Sequence, residues 1–81
     1  MRSIRIPADR VGTLIGKGGE TKKTLQEISG IKLDIDTEEG EVLIHDDVEL
    51  EDPVMALKIQ DVIKAVGRGF NPEKAMRLFD D

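Results

Sequence analysis

Three glycines fall within four positions at Gly16-Lys17-Gly18-Gly19, and neither a helix nor a strand runs comfortably through such a stretch. Glycine inside a regular element costs roughly 0.5–1 kcal/mol relative to alanine, so the cluster fixes a break in the chain. Before it, Asp9 to Leu14 reads as a short helix with Val11, Leu14 and Ile15 on one side. After it, Glu20 to Ser29 reads as a second helix, with Leu25 and Ile28 at i, i+3 spacing and Gly30 as its C-terminal cap. Two helices therefore meet at a tip of nearly bare backbone. Peptide N–H groups there can face a ligand, and the second helix aims its partly positive N-terminus at the same place. Lys17 stands at the tip, and Lys22 and Lys23 lie in the next turn. Glycine admits a phosphodiester backbone where a Cβ would collide. The pattern combines close approach with local positive charge.

The segments on either side read as a small mixed fold. Ser3-Ile4-Arg5-Ile6 alternates polar and apolar residues, as a half-buried strand does, and Pro7 ends it. Ile31-Lys32-Leu33-Asp34-Ile35-Asp36 alternates strictly over its whole length, and Glu41-Val42-Leu43-Ile44 returns across a turn at Thr37-Glu38-Glu39-Gly40. Asp52-Pro53 is a helix start, a carboxylate N-cap followed by proline at the first helical position. Met55, Ile59, Val62, Ile63 and Val66 then form one apolar stripe, and Gly67-Arg68-Gly69 stops the helix. Asn71-Pro72 repeats the start signal for a short last helix in which Ala75, Met76 and Phe79 turn inward. The order is β-α-α-β-β-α plus a short C-terminal helix, an α+β chain without repeats or low-complexity linkers.

Eighty-one residues make one domain. The absence of cysteine rules out a disulfide framework, a thiol nucleophile and cysteine-based zinc sites, and suits a reducing interior. His45 is the only histidine, so a histidine-rich metal site is also excluded. No apolar run reaches the roughly 20 residues a membrane helix needs, and MRSIRIPADR lacks a signal-peptide core; a soluble cytoplasmic protein is expected. The net charge of −5 argues against a nucleic-acid ligand until its distribution is considered. Residues 1–32 carry seven basic side chains against three acids, and residues 33–81 carry five against fourteen. Exposed charges more than about 8–10 Å apart are largely screened at physiological salt, so a basic face can draw phosphate to an acidic protein.

The stretch VGTLIGKGGETKKTLQEISGIKLDID, residues 11–36, resembles a KH domain, whose hallmark is an Ile-Gly-x-x-Gly loop between two helices. Here the hallmark reads Ile15-Gly16-Lys17-Gly18-Gly19, and the resemblance covers residues 2–68. It implies the type I KH fold, a three-stranded antiparallel sheet packed by three helices, over residues 1–68, with 69–81 as an extension carrying the short last helix. It also implies a mechanism, in which about four nucleotides of single-stranded RNA are clamped across the glycine loop. By that analogy Val11, Ile15 and Ile28 supply an apolar floor beside Gly12. The backbone around Lys32, Leu33 and Asp34 hydrogen-bonds base edges, and Lys17, Lys22 and Lys23 meet phosphates around Gly16, Gly18 and Gly19. Neither a cofactor nor a metal is implied. Many KH domains place an aliphatic residue where Lys22 stands, so a more polar groove is expected, and Asp34 and Asp36 add negative charge beside it. The tail GRGFNPEKAMRLFDD, residues 67–81, resembles the first KH segment of archaeal small-subunit ribosomal-RNA-processing proteins of the partner-of-Nob type, which continue into a second KH domain. The ligand that this resemblance implies is small-subunit ribosomal RNA, with protein partners in ribosome assembly.

Other readings fit less well. A P-loop needs a Lys-Ser/Thr pair, and Lys17 is followed by Gly18. A dinucleotide-binding turn follows a strand, whereas this loop follows a helix. A helix-hairpin-helix DNA binder carries an apolar residue where Lys17 stands. A KH domain that docks a basic protein through its acidic half is the main alternative. The acids from Asp46 to Asp52 match no calcium loop, and no nucleophile–base pair points to an enzyme. Lys22 and Lys23 also suit a solvated helix face. Arg68 suits either a ligand contact or the end of the preceding helix. Phe70 and Phe79 suit a tail staple or, if exposed, a protein interface.

Overall fold

The computed structural model describes residues 2–46 and 54–80. The chain order is β1 (Arg2–Arg5), α1 (Ala8–Ile15), a 3-10 turn (Lys17–Gly19), α2 (Glu20–Ser29), β2 (Lys32–Ile35), β3 (Glu41–His45), α3 (Met55–Gly67), α4 (Pro72–Ala75) and a final 3-10 turn (Met76–Asp80). The expected Asp52-Pro53 helix start, with most of the acidic loop before it, lies outside the described residues. The strands form one antiparallel sheet in the order β1-β3-β2. Opposite Val42 stand Ile4 on one side and Ile35 on the other, and opposite Ile44 stands Leu33. Strand side chains alternate between faces, so these residues share the covered face. The outward face carries Ser3, Arg5, Lys32, Asp34, Glu41, Leu43 and His45.

The helices close that covered face. Val11 and Leu14 from α1, Leu25 from α2, and Ile59, Val62, Ile63 and Val66 from α3 are buried with Leu33, Val42 and Ile44 in one cluster. Each such side chain is worth about 1.5–3 kcal/mol when fully buried. The expected stripe on α3 is the helix's inner face, with Met55 half-buried at its start. Asn71 caps the last helix, its Oδ1 accepting from the Glu73 N–H at 2.8 Å. Ala75 and Phe79 join the core, and Lys58 Nζ donates to the Phe79 carbonyl at 2.8 Å. Phe79 thus staples the tail, whereas Phe70 remains 57% exposed.

One contact fixes α1 to α3. Arg10 Nε donates to the Val66 carbonyl at 2.9 Å and its second guanidinium nitrogen donates to the Phe70 carbonyl at 3.0 Å. The Val66 carbonyl lies in the last turn of α3, where backbone acceptors lack helical partners, and the Phe70 carbonyl lies three residues beyond the helix. Of the seven basic residues in the first 32, Arg10 is therefore committed to the scaffold, and Arg2 is paired with Asp46 at 2.9 Å. Arg68 closes α3 through its backbone, its N–H donating to the Lys64 and Ala65 carbonyls at 3.0 and 3.1 Å.

Candidate nucleic-acid interface

The loop is built so that only glycine serves at its first position. Gly16 has φ 79° and ψ 172°, a conformation that side chains avoid. A Cβ there would run into Thr21 Oγ1 and lie 2.8 Å from both Thr21 Cβ and Thr21 N. Gly18 and Gly19 have φ 64° and 78°, and a Cβ on either would meet nothing within 4 Å. The first glycine lets the loop pack on α2; the other two leave its outer surface bare. Not every loop amide is available. Gly16 N–H donates to the Gly12 carbonyl at 2.9 Å, Gly19 N–H to the Gly16 carbonyl at 3.1 Å, and Glu20 N–H to the Lys17 carbonyl. Among the described residues, the N–H groups of Lys17 and Gly18 have no partner. Both residues are exposed at the tip.

The second wall is the open edge of β2. Asp36 N–H donates to the Glu41 carbonyl at 2.8 Å, so alternation along the ladder turns the peptide groups of Asp34 and Lys32 toward β3. The groups that face outward belong to Leu33 and Ile35. Sequence reasoning grouped Lys32, Leu33 and Asp34 and omitted Ile35, because which peptides point outward depends on strand order and register, neither of which periodicity reveals. Gln26, which was also missed, reaches this edge from α2: its Oε1 accepts from the Leu33 N–H at 2.9 Å. Gln26 lies one turn after Lys22 on the same side of α2, the only trace of its role in the sequence.

The candidate residues take different places relative to these two walls. Val11 is buried beneath α1, Ile15 is half-buried at the loop, and Gly12 is exposed on α1 with nothing within 4 Å of an added Cβ. Lys22 is half-buried and lines a groove of 420 Å³ with Asp34, Ile35, Asp36, Glu41 and Leu43. Lys23 and Lys32 are exposed. Ile28 departs from the expectation: two residues beyond Gln26, it sits about 200° around the helix, away from the β2 edge, and is 43% exposed. Leu33 puts its side chain into the core and only its peptide at the edge. Asp34 Oδ2 pairs with His45 Nε2 at 2.7 Å on the outward face. That hydrogen bond, helped by the charges of Lys32, His45 and Lys22 and partly opposed by desolvation, holds the Asp34 carboxyl below the usual aspartate value. Among the described residues no group of three or more acids or histidines could hold a metal ion, and no helix is long and apolar enough to cross a membrane.

The family model for the KH domain matches residues 1–51. The chain belongs to the KH family. Its three-stranded sheet, helices and glycine loop are the type I KH arrangement expected from the sequence. A KH domain-containing protein of Methanocaldococcus jannaschii is 47% identical over 78 residues, which is 96% of this chain and 34% of that protein. The crystal structure of Dim2p from Pyrococcus horikoshii matches with a TM-score of 0.89 and 46% identity, over 96% of this chain and 47% of that one. A complex of a/eIF2alpha, aDim2p and rRNA from the same organism matches with a TM-score of 0.89 and 47% identity, over 95% and 44%. This KH chain therefore spans between a third and a half of the length of these relatives.

Proposed function

We propose that this KH domain binds single-stranded RNA, specifically ribosomal RNA during small-subunit processing or assembly, in the cytoplasm and without catalysing a reaction. The observation that carries the reading is the loop tip. Two unpartnered amides, at Lys17 and Gly18, stand beside a lysine on a surface with no atom near the missing Cβ positions. A phosphate can reach both amides, and bases can then lie along the β2 edge, the arrangement by which KH loops clamp a nucleic-acid backbone. Lys22 and Lys23 extend the positive charge along α2. The related complex that contains rRNA supports the choice of ligand, and the a/eIF2alpha within it supports a protein partner alongside RNA. We assign residues 1–68 to the KH domain and 69–81 to an extension that shares its core.

The test is the double substitution K17D/G18D, titrated with single-stranded RNA and followed by NMR. Position 18 has φ 64° and open space around it, and aspartate tolerates that conformation better than most residues, so the fold survives. Two carboxylates at the tip repel the phosphate that the loop should hold. The expected result is loss of the amide shifts around residues 15–35 that the unmodified chain shows on titration. Binding retained by a folded double variant would overturn the assignment.

A further inference from the structure

Two outward peptide positions lie along the β2 edge, and they are not equivalent. Ile35 and Val42 form a non-hydrogen-bonded pair next to the bonded Asp36–Glu41 pair, so the Ile35 N–H and C=O face away from β3 along the open edge. At Leu33 the N–H is occupied, because Gln26 Oε1 accepts from it at 2.9 Å in a part-buried contact. The orientation of the carboxamide follows from chemistry: only its oxygen can accept from a peptide N–H, which leaves Nε2 pointing away with no partner among the described residues. The Gln26 oxygen thus occupies the place that an acceptor on a base would take. Resting on the RNA-binding reading above, we infer that Gln26 is a positioning residue. It seals the Leu33 peptide so that a base edge is read at Ile35, in one register relative to the glycine loop.

Bases compete with an internal acceptor at Leu33 but not at Ile35. A base paired to Leu33 must break a hydrogen bond already formed inside the protein, whereas a base paired to Ile35 breaks none. One net hydrogen bond is worth about fivefold in an equilibrium constant, enough to bias the register when the two sites are alike in other respects. Adjacent outward positions on a strand lie about 6.6–6.8 Å apart, close to the spacing of neighbouring nucleotides, so the strand alone would permit either register.

The inference is tested with the full 81-residue chain by titrating a mixed-base single-stranded RNA hexamer and following each backbone amide. In the unmodified chain the Ile35 amide should move and the Leu33 amide should stay still. In Q26L, which offers no acceptor, Leu33 should exchange its amide hydrogen faster and should shift with RNA alongside Ile35. In Q26E, which keeps an acceptor, Leu33 should fall silent again even if the added charge weakens binding. Should Q26L fail to fold, the unmodified chain and Q26E still decide the matter. Leu33 moving as far as Ile35 in the unmodified chain, or staying silent in folded Q26L, overturns the role of Gln26 while loop shifts at Lys17 and Gly18 leave RNA binding intact. An absence of shifts at the loop and the edge alike overturns RNA binding itself, and this inference with it.

Discussion

Replacing Gly16 by alanine separates the packing role of the loop from its binding role. Two costs apply at that position. Holding a side chain at φ 79°, ψ 172° costs about 1–3 kcal/mol. Forcing a Cβ to within 2.8 Å of Thr21 Cβ and N costs about 1–3 kcal/mol more as overpacking. The sum, about 2–6 kcal/mol, is a large share of the roughly 4–12 kcal/mol expected for a domain of this size. At about 4–8 °C per kcal/mol, G16A should melt at least about 8 °C below the unmodified chain. G18A is the control. Its φ of 64° carries a cost of about 1–2 kcal/mol, and its Cβ meets nothing within 4 Å, so the domain should stay folded while RNA affinity falls. Thermal and urea unfolding of the two variants, with RNA titrations on the folded ones, measure both effects. If G16A and G18A melt within a few degrees of each other, the claim that Gly16 is fixed by contact with Thr21 is wrong.

Four further outcomes follow from contacts described above. R10M removes both guanidinium bonds at the end of α3 and should cost about 1–3 kcal/mol in urea unfolding, with little effect on the salt dependence of RNA binding. F79A should cost about 3–5 kcal/mol and F70A within about 0.5 kcal/mol, a contrast that a single denaturation series resolves. The logarithm of RNA affinity should fall with the logarithm of salt at a slope of about −2, as expected if roughly three phosphates are neutralised on a single strand. Because His45 holds the Asp34 carboxyl below its ordinary range, Asp34 contributes stability that is present above the unfolded-state value and is lost as pH falls through the lower, folded one. Carboxyl NMR titration should place Asp34 below the ordinary aspartate value, and H45A should raise it.

The elements that sequence reasoning located well are those set by neighbours along the chain. Both ends of α2 were read correctly, at Glu20 and Ser29, because a glycine borders each one. The β2–β3 hairpin followed from strict alternation on either side of a turn. What the sequence hid depends on pairing across the fold. Arg10 looked like part of a basic face, yet its partners, Val66 and Phe70, lie more than fifty residues away. Ile28 fitted an i, i+3 stripe with Leu25, but helical spacing cannot say which flank of that stripe meets the sheet edge. Ile35 was passed over because the outward peptides of β2 are decided by the register with β3. Gln26 was passed over because a lone glutamine on a helix carries no signal until its strand partner is known.

The open side of β2 has a consequence beyond the ligand. Unpaired peptide groups on a boundary strand invite another strand, and this is how soluble proteins begin to aggregate. Here the exposed run is only four residues long. A second copy laid antiparallel and centred on Ile35 would set Asp34 of one molecule against Asp36 of the other, and opposed like charges disfavour such a pair. The same carboxylates that make the groove less hospitable to phosphate thus guard the domain against polymerising on itself, and neutralising both should make the chain more prone to self-association.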